Sequence, residues 1–167
     1  MDDKDGKTQP AGADTAALPF EESVGYQVRQ THRLLQRYLQ RKIEPYGVTP
    51  GMWYFLRALW DRDGMTQREL SLVVGTMEPT TLTAIKAMER SGLVRRVKNA
   101  DDRRKINIFL TRRGQALRAE LMPLAKEVVG NAVANFSEEE KSALLNYLKA
   151  VQENLSERME ADMMTAK

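Results

Sequence analysis

The stretch MTQRELSLVVGTMEPTTLTAIKAMERSG, residues 65–92, decides the fold. Thr66 stands three residues before Glu69, the capping-box spacing in which a hydroxyl and a carboxylate each satisfy a backbone N–H at a helix start. A short apolar run follows and Gly75 ends it. Pro79, whose missing N–H is no loss in a first turn, opens a second helix that stops at Ser91-Gly92. Two short helices joined by a tight turn make a helix-turn-helix. On a wheel of about 100° per residue, Leu82, Ile85 and Met88 fall on one side of the second helix. Thr80, Thr83, Lys86, Ala87 and Arg90 fall on the other. Small side chains let a helix sit deep in the major groove, where threonine hydrogen-bonds base edges or touches a thymine methyl. Lys86 and Arg90 suit phosphates. By itself such a face also fits an ordinary solvated helix, so its neighbours in sequence matter.

Immediately downstream, LVRRV and INIFL are β-rich segments flanking the polar tip Lys98–Lys105. Ile106, Ile108 and Leu110 alternate with Asn107 and Phe109, so the pair reads as a two-stranded wing. The tip crowds Asp101 and Asp102 against Arg103, Arg104 and Lys105. A carboxylate that accepts the fork of a guanidinium restricts its rotamers, and an arginine so held loses less entropy on entering a narrow minor groove. Residues 86–118 carry eleven Lys and Arg against three Asp and Glu, a net +8 in a chain whose total is only +3. Concentration of the charge in the element beside the helix is the footprint of a polyanion-binding surface.

Upstream, Val24, Val28, Leu35 and Leu39 recur at helical spacing from Phe20 to Ile43, and Pro45 and Gly47 end that first helix. Thr49 and Pro50 then start a second, with Trp53, Leu56 and Trp60 on one face. Beyond the wing, Thr111 caps a fifth helix running to about Val133, and Ser137-x-x-Glu140 is a capping box for a sixth reaching about Met159. Residues 1–19 mix Asp, Lys, Gly, Pro and Ala without period and read as a flexible arm. The expected fold class is mainly α with a small β-hairpin wing.

Composition removes several alternatives. The absence of cysteine excludes disulfides, thiolate metal sites and cysteine nucleophiles. No apolar run approaches the roughly 20 residues of a membrane span, and the N-terminus has no signal-peptide pattern, so a cytoplasmic location away from membranes is expected. A single histidine, no Gly-rich phosphate loop and no paired acid/base set argue against an enzyme. No cofactor or metal is called for. The acids of SEEEK, residues 137–141, are explained by favourable charge at a helix start. Met159, Met163 and Met164 either pack adaptably in a dimer seam or fray.

Residues 65–114 resemble the winged helix-turn-helix of the MarR family of bacterial transcriptional regulators. The wing motif D-x-R stands here as Asp102-Arg103-Arg104, followed at the family's spacing by Leu110-Thr111 and Gly114. The resemblance implies a homodimer whose helical dimerisation region is formed by residues 20–48 and 112–162, with residues 49–111 as the DNA-binding lobe. It makes Arg104 the minor-groove arginine, Asp102 its supporting carboxylate and Arg96 the arginine after the Gly-Leu-Val turn. The expected DNA-binding set is Gln67, Arg68, Thr80, Thr81, Thr83, Lys86, Arg90, Arg96, Asp102, Arg103, Arg104 and Lys105. Many members have arginine where Thr83 stands, a departure that bears on which bases are read.

The implied function is a ligand-responsive repressor on a pseudo-palindromic double-stranded operator, released by a small molecule such as an aromatic acid or phenol. Arg29, His32, Trp53, Arg57 and Trp60 are the candidate effector contacts, mixing aromatic walls with cationic and hydrogen-bonding groups. The two tryptophans also fit a core at their helical spacing, and His32 a structural role. A winged-helix dimer serving as a protein-interaction module is the rival reading.

Overall fold

Thr66 and Glu69 do what their spacing requires. In the computed structural model, which describes residues 19–165, the Thr66 hydroxyl accepts from the Glu69 N–H at 3.2 Å and the Glu69 carboxylate accepts from the Thr66 N–H at 2.7 Å. The Thr66 N–H, and then the Thr66 hydroxyl donating to the same carboxylate at 2.7 Å, hold the Glu69 carboxyl below its ordinary range. The helix they start, here α3, spans Gln67–Val74 and ends at Gly75 with φ 69°, a conformation only glycine adopts without strain.

The chain divides into two compact units between Leu34 and Leu35. In the first, a 3-10 turn at Phe20–Glu22 precedes the start of α1, Val24–Ile43. The Phe20 and Tyr26 rings meet at 5.2 Å, and Gln30 Nε2 donates to the Tyr26 hydroxyl at 2.8 Å. The expected helix start at Phe20 is thus a 3-10 turn with α1 beginning four residues later. The expected arm lies, but for Pro19, outside the described residues.

In the second unit the remainder of α1 leads into α2 (Pro50–Asp61), α3, α4 (Glu78–Arg90), β1 (Val94–Lys98), β2 (Ile106–Leu110), α5 (Arg112–Ala132) and α6 (Glu138–Thr165). β1 and β2 pair antiparallel from Val94↔Leu110 to Lys98↔Ile106. The core is where these elements meet, with Ile43, Leu56, Leu59, Leu70, Ile85, Met88, Leu93, Ile108 and Leu121 at most 1% exposed. Trp53 and Trp60 pack edge to face in it at 5.8 Å, and the Trp60 indole N–H donates to the Gly114 carbonyl at 2.8 Å.

Gly114 is a tight joint of the fold. Thr111 caps α5 by accepting from the Gly114 N–H at 3.1 Å while its own hydroxyl donates to the Gly92 carbonyl at 2.6 Å, which draws the first turn of α5 onto the entry to β1. A Cβ on residue 114 would lie 2.1 Å from the Leu93 carbonyl oxygen. By contrast, α6 buries none of its residues. Leu144, Leu148, Val151, Leu155 and Met159 repeat along it at steps of three and four and stay 37–65% exposed. The helix runs past the expected end at Met159 to Thr165.

Gly114→Ala should therefore destabilise the protein by about 1–3 kcal/mol, the range for overpacking a closed joint. Urea denaturation measures it, and an unchanged midpoint would show that the α5 start yields to the added methyl.

Candidate nucleic-acid interface

The wing tip is a set of nested hydrogen bonds. Asn99 accepts at Oδ1 from the N–H groups of both Asp101 and Asp102, each at 2.9 Å, an Asx turn that folds the tip back on itself. The Asp102 carboxylate then accepts from the Arg104 N–H and Nε at 3.1 Å and from Nη2 at 3.4 Å. Lys105 Nζ lies 3.8 Å from Oδ2 of the same carboxylate. Arg104 donates side-on, so its guanidinium is tethered while the side chain stays 92% exposed. The expected pairing of aspartate with arginine is present, but Asp102 alone performs it. Asp101 contributes a backbone N–H instead. Arg103 and Lys105 are exposed beside it.

The tip is tied to the helix-turn-helix through Asn107. Asn99 Nδ2 donates to Asn107 Oδ1 at 2.9 Å, and Asn107 Nδ2 donates to the Gly64 carbonyl at 2.6 Å. Sequence reading passed over both asparagines. Asn99 before a turn carried a usable signal, whereas the role of Asn107 depends on a loop 43 residues away. On β1, Arg95 stacks its guanidinium 5.0 Å from the Phe109 ring centre. Arg96 is half-buried, and its Nε has no hydrogen-bond partner.

On α4, Ile85 and Met88 are buried as expected, but Leu82 is only half-buried. Thr81 takes the inner place with no exposure at all. Its hydroxyl is held between the Met77 carbonyl at 3.2 Å and the Thr76 hydroxyl at 2.8 Å. Thr81 is therefore removed from the candidate DNA contacts, because its side chain supports the turn from within. Thr80, Thr83, Lys86 and Arg90 are exposed with Ala87 half-buried between them. Arg68 is exposed and Gln67 half-buried in the first turn of α3.

The effector candidates are divided between the two units. Trp53 and Trp60 are 3% and 8% exposed and belong to the core, which corrects their assignment as ligand walls. Arg57 lies on the outer side of α2 with its guanidinium 5.7 Å from the Trp53 ring centre. Arg29 and His32 are exposed on the part of α1 in the first unit. A groove of about 480 Å³ runs between the start of α2 and α4, walled by Pro50, Met52, Tyr54, Phe55, Thr83 and Ala84, and none of the five candidates lines it. Among the described residues no group of His, Asp or Glu is arranged to hold a metal ion, and no helix is long and apolar enough to cross a membrane.

The Arg104 guanidinium, then the Arg104 backbone N–H, and after them the charge of Lys105 hold the Asp102 carboxyl below its ordinary value. A depressed pKa stabilises the folded tip above the unfolded value, and that contribution is lost as pH falls through the folded one. Carboxyl titration by NMR should find Asp102 low in the wild type and returned towards the ordinary aspartate value in Arg104→Ala. Equal values in the two proteins would mean the fork does not persist in solution.

Comparison with known proteins agrees with this geometry. The profile of the MarR family matches residues 48–106. The homoprotocatechuate degradative operon repressor of Escherichia coli is 27% identical over 130 residues, covering 78% of this chain and 88% of the repressor. A MarR transcriptional regulator from Methanosarcina mazei is 30% identical with a TM-score of 0.74, covering 80% of this chain and 96% of that one. The Staphylococcus aureus MepR–DNA complex is 25% identical with a TM-score of 0.75, over 79% of this chain and 98% of the other. A helix-turn-helix with a D-x-R wing of this geometry, in a chain so matched along its length, belongs to the MarR family of transcriptional regulators.

Proposed function

We propose that the protein is a ligand-responsive repressor that binds a pseudo-palindromic operator as a homodimer in the cytoplasm. The observation that carries this reading is the Asp102–Arg104 fork, a pre-oriented and almost fully exposed guanidinium on a wing bonded to the helix-turn-helix. In the complex α4 lies in the major groove with Thr80, Thr83, Lys86 and Arg90 outward, while Arg104 enters the neighbouring minor groove and Arg103 and Lys105 meet its phosphates. Gln67 and Arg68, at the start of α3, meet the backbone beside it. Arg96 supports the wing from its half-buried position and adds to its field.

The apolar stripe of α6 supports dimerisation. A run of five large apolar side chains, none buried within one chain, matches the seam of a helical interface. A two-fold dimer carries two readers and places half-site centres about one helical turn apart. Repression follows from covering a promoter. Release requires a small molecule that binds one spacing of the readers better than the other. The relative that represses a homoprotocatechuate degradative operon makes that aromatic acid the first compound to try. The α2–α4 groove is one seat for it that touches the reading helix directly, and Arg57, Arg29 and His32 are separate candidate contacts.

Fluorescence anisotropy against DNA from the protein's own upstream region tests the reading. Specific binding should weaken steeply with salt as phosphate contacts release counterions. Arg104→Ala should weaken it by about 1–3 kcal/mol, roughly 5- to 150-fold. Binding that ignores both salt and Arg104 would turn the fold towards a protein partner. For the dimer, Leu148→Glu should shift sedimentation towards the monomer, and an unshifted boundary would exclude the α6 stripe as the seam.

A further inference from the structure

We infer that Thr83 reads the methyl group of a thymine in each half-site, so that this base is recognised by apolar contact rather than by a hydrogen bond. The inference rests on the DNA-binding reading above and specifies the base that reading leaves open. It begins from the phase of α4. Thr81, Ile85 and Met88 mark the inward line of the helix. Thr83 comes two residues after Thr81, about 200° round the helix, and shares the outermost line with Arg90, seven residues on. It is exposed at the crest of α4, where a base edge comes nearest.

What Thr83 has available there is limited. Its hydroxyl donates to the Pro79 carbonyl at 3.0 Å. A hydroxyl has a single proton, so none remains for guanine N7 and O6, adenine N7 or thymine O4. The side chain keeps a methyl and an acceptor lone pair. Its surroundings narrow the choice further. Residues 78–84 hold no Arg, Asn or Gln, so neither the guanine fork nor the adenine amide pair is present in the first turns of the helix. Glu78, the one acid in that stretch, lies five residues earlier and about 140° away round the helix. Ala84 and Ala87, both half-buried, flank Thr83 with nothing longer than a methyl and allow close approach. Thymine is the base that offers a methyl group in the major groove.

The test pairs a methyl on the protein with a methyl on the DNA. An operator is first selected from randomised duplexes with the full-length protein, and each conserved thymine is then replaced by deoxyuridine, which removes the base methyl alone. At one position per half-site the wild type should bind about fourfold more weakly, the loss that one buried methyl implies. Thr83→Ser, which keeps the hydroxyl, should bind the thymine operator about fourfold more weakly and be indifferent to deoxyuridine there. Thr83→Val, which keeps the methyl, should bind as the wild type does and retain its sensitivity. Thermal midpoints confirm that the variants fold.

Three results overturn the inference. These are selected half-sites without a conserved thymine, indifference of the wild type to deoxyuridine at every position, and a loss in Thr83→Val with none in Thr83→Ser, which would assign reading to the hydroxyl. If the protein selects no sequence and Arg104→Ala changes nothing, the DNA-binding reading itself fails and takes this one with it. A selected, Arg104-dependent operator that ignores the methyl removes the role of Thr83 alone.

Discussion

Ile108 holds the wing to the helix-turn-helix by its backbone. Its N–H donates to the Met65 carbonyl at 2.8 Å, and its carbonyl accepts from the Gly64 N–H at 3.0 Å. The loop between α2 and α3 thereby pairs along the outer edge of β2, with Thr66 bridged to Asn107. The strand would otherwise leave that edge unpaired, and an unpaired edge is both costly when buried and sticky when exposed. Asp63 adds to the joint by accepting from the Leu110 N–H at 2.9 Å. Gly64 must be glycine there for two reasons. Its φ is 77°, and a Cβ would meet the Phe109 ring at 2.6 Å.

This joint sets the geometry available for DNA recognition. A hairpin bearing basic residues on a free hinge would be a mobile charge, able to attract phosphate but not to choose a groove. Anchored through Ile108, Asn107 and Asn99, the wing tip has a defined place relative to α3, and α3 packs on α4 in turn. The Asp102 carboxylate extends the same ordering to Arg104. Its net effect is to remove part of the attraction that the tip would exert on any polyanion while lowering the entropy lost when one guanidinium enters a groove. The wing is thus suited to positional discrimination more than to raw affinity.

Helix phase shows the boundary between local and non-local information. Apolar spacing alone chose Leu82 for the inner face of α4, since threonine is usually found outside. The structure places Thr81 there instead, because its hydroxyl meets the Met77 carbonyl and the Thr76 hydroxyl in the helix-turn-helix bend. A buried hydroxyl with both bonds made has little reason to avoid the core. The same kind of fact removed Trp53 and Trp60 from the ligand candidates. Their spacing was compatible with a groove wall or with a core, and only the Gly114 carbonyl, 54 residues from Trp60, shows where the indole N–H is satisfied.

The order and kind of the elements are written in the chain's local patterns. The Thr66–Glu69 box, Pro79, Gly75 and Gly92, the alternation of Ile106, Ile108 and Leu110, and the Asp102-Arg103-Arg104 tip each act within a few residues, and short-range sterics and hydrogen bonding are legible in short-range order. Packing between distant elements settles which side of α4 is inward, that Asp102 rather than Asp101 carries the arginine, that Asn107 links tip to loop, and that α6 buries nothing within one chain. Those outcomes depend on partners distant in sequence or on burial against other elements, and no local pattern of apolar and polar residues specifies which distant backbone group will meet a given side chain.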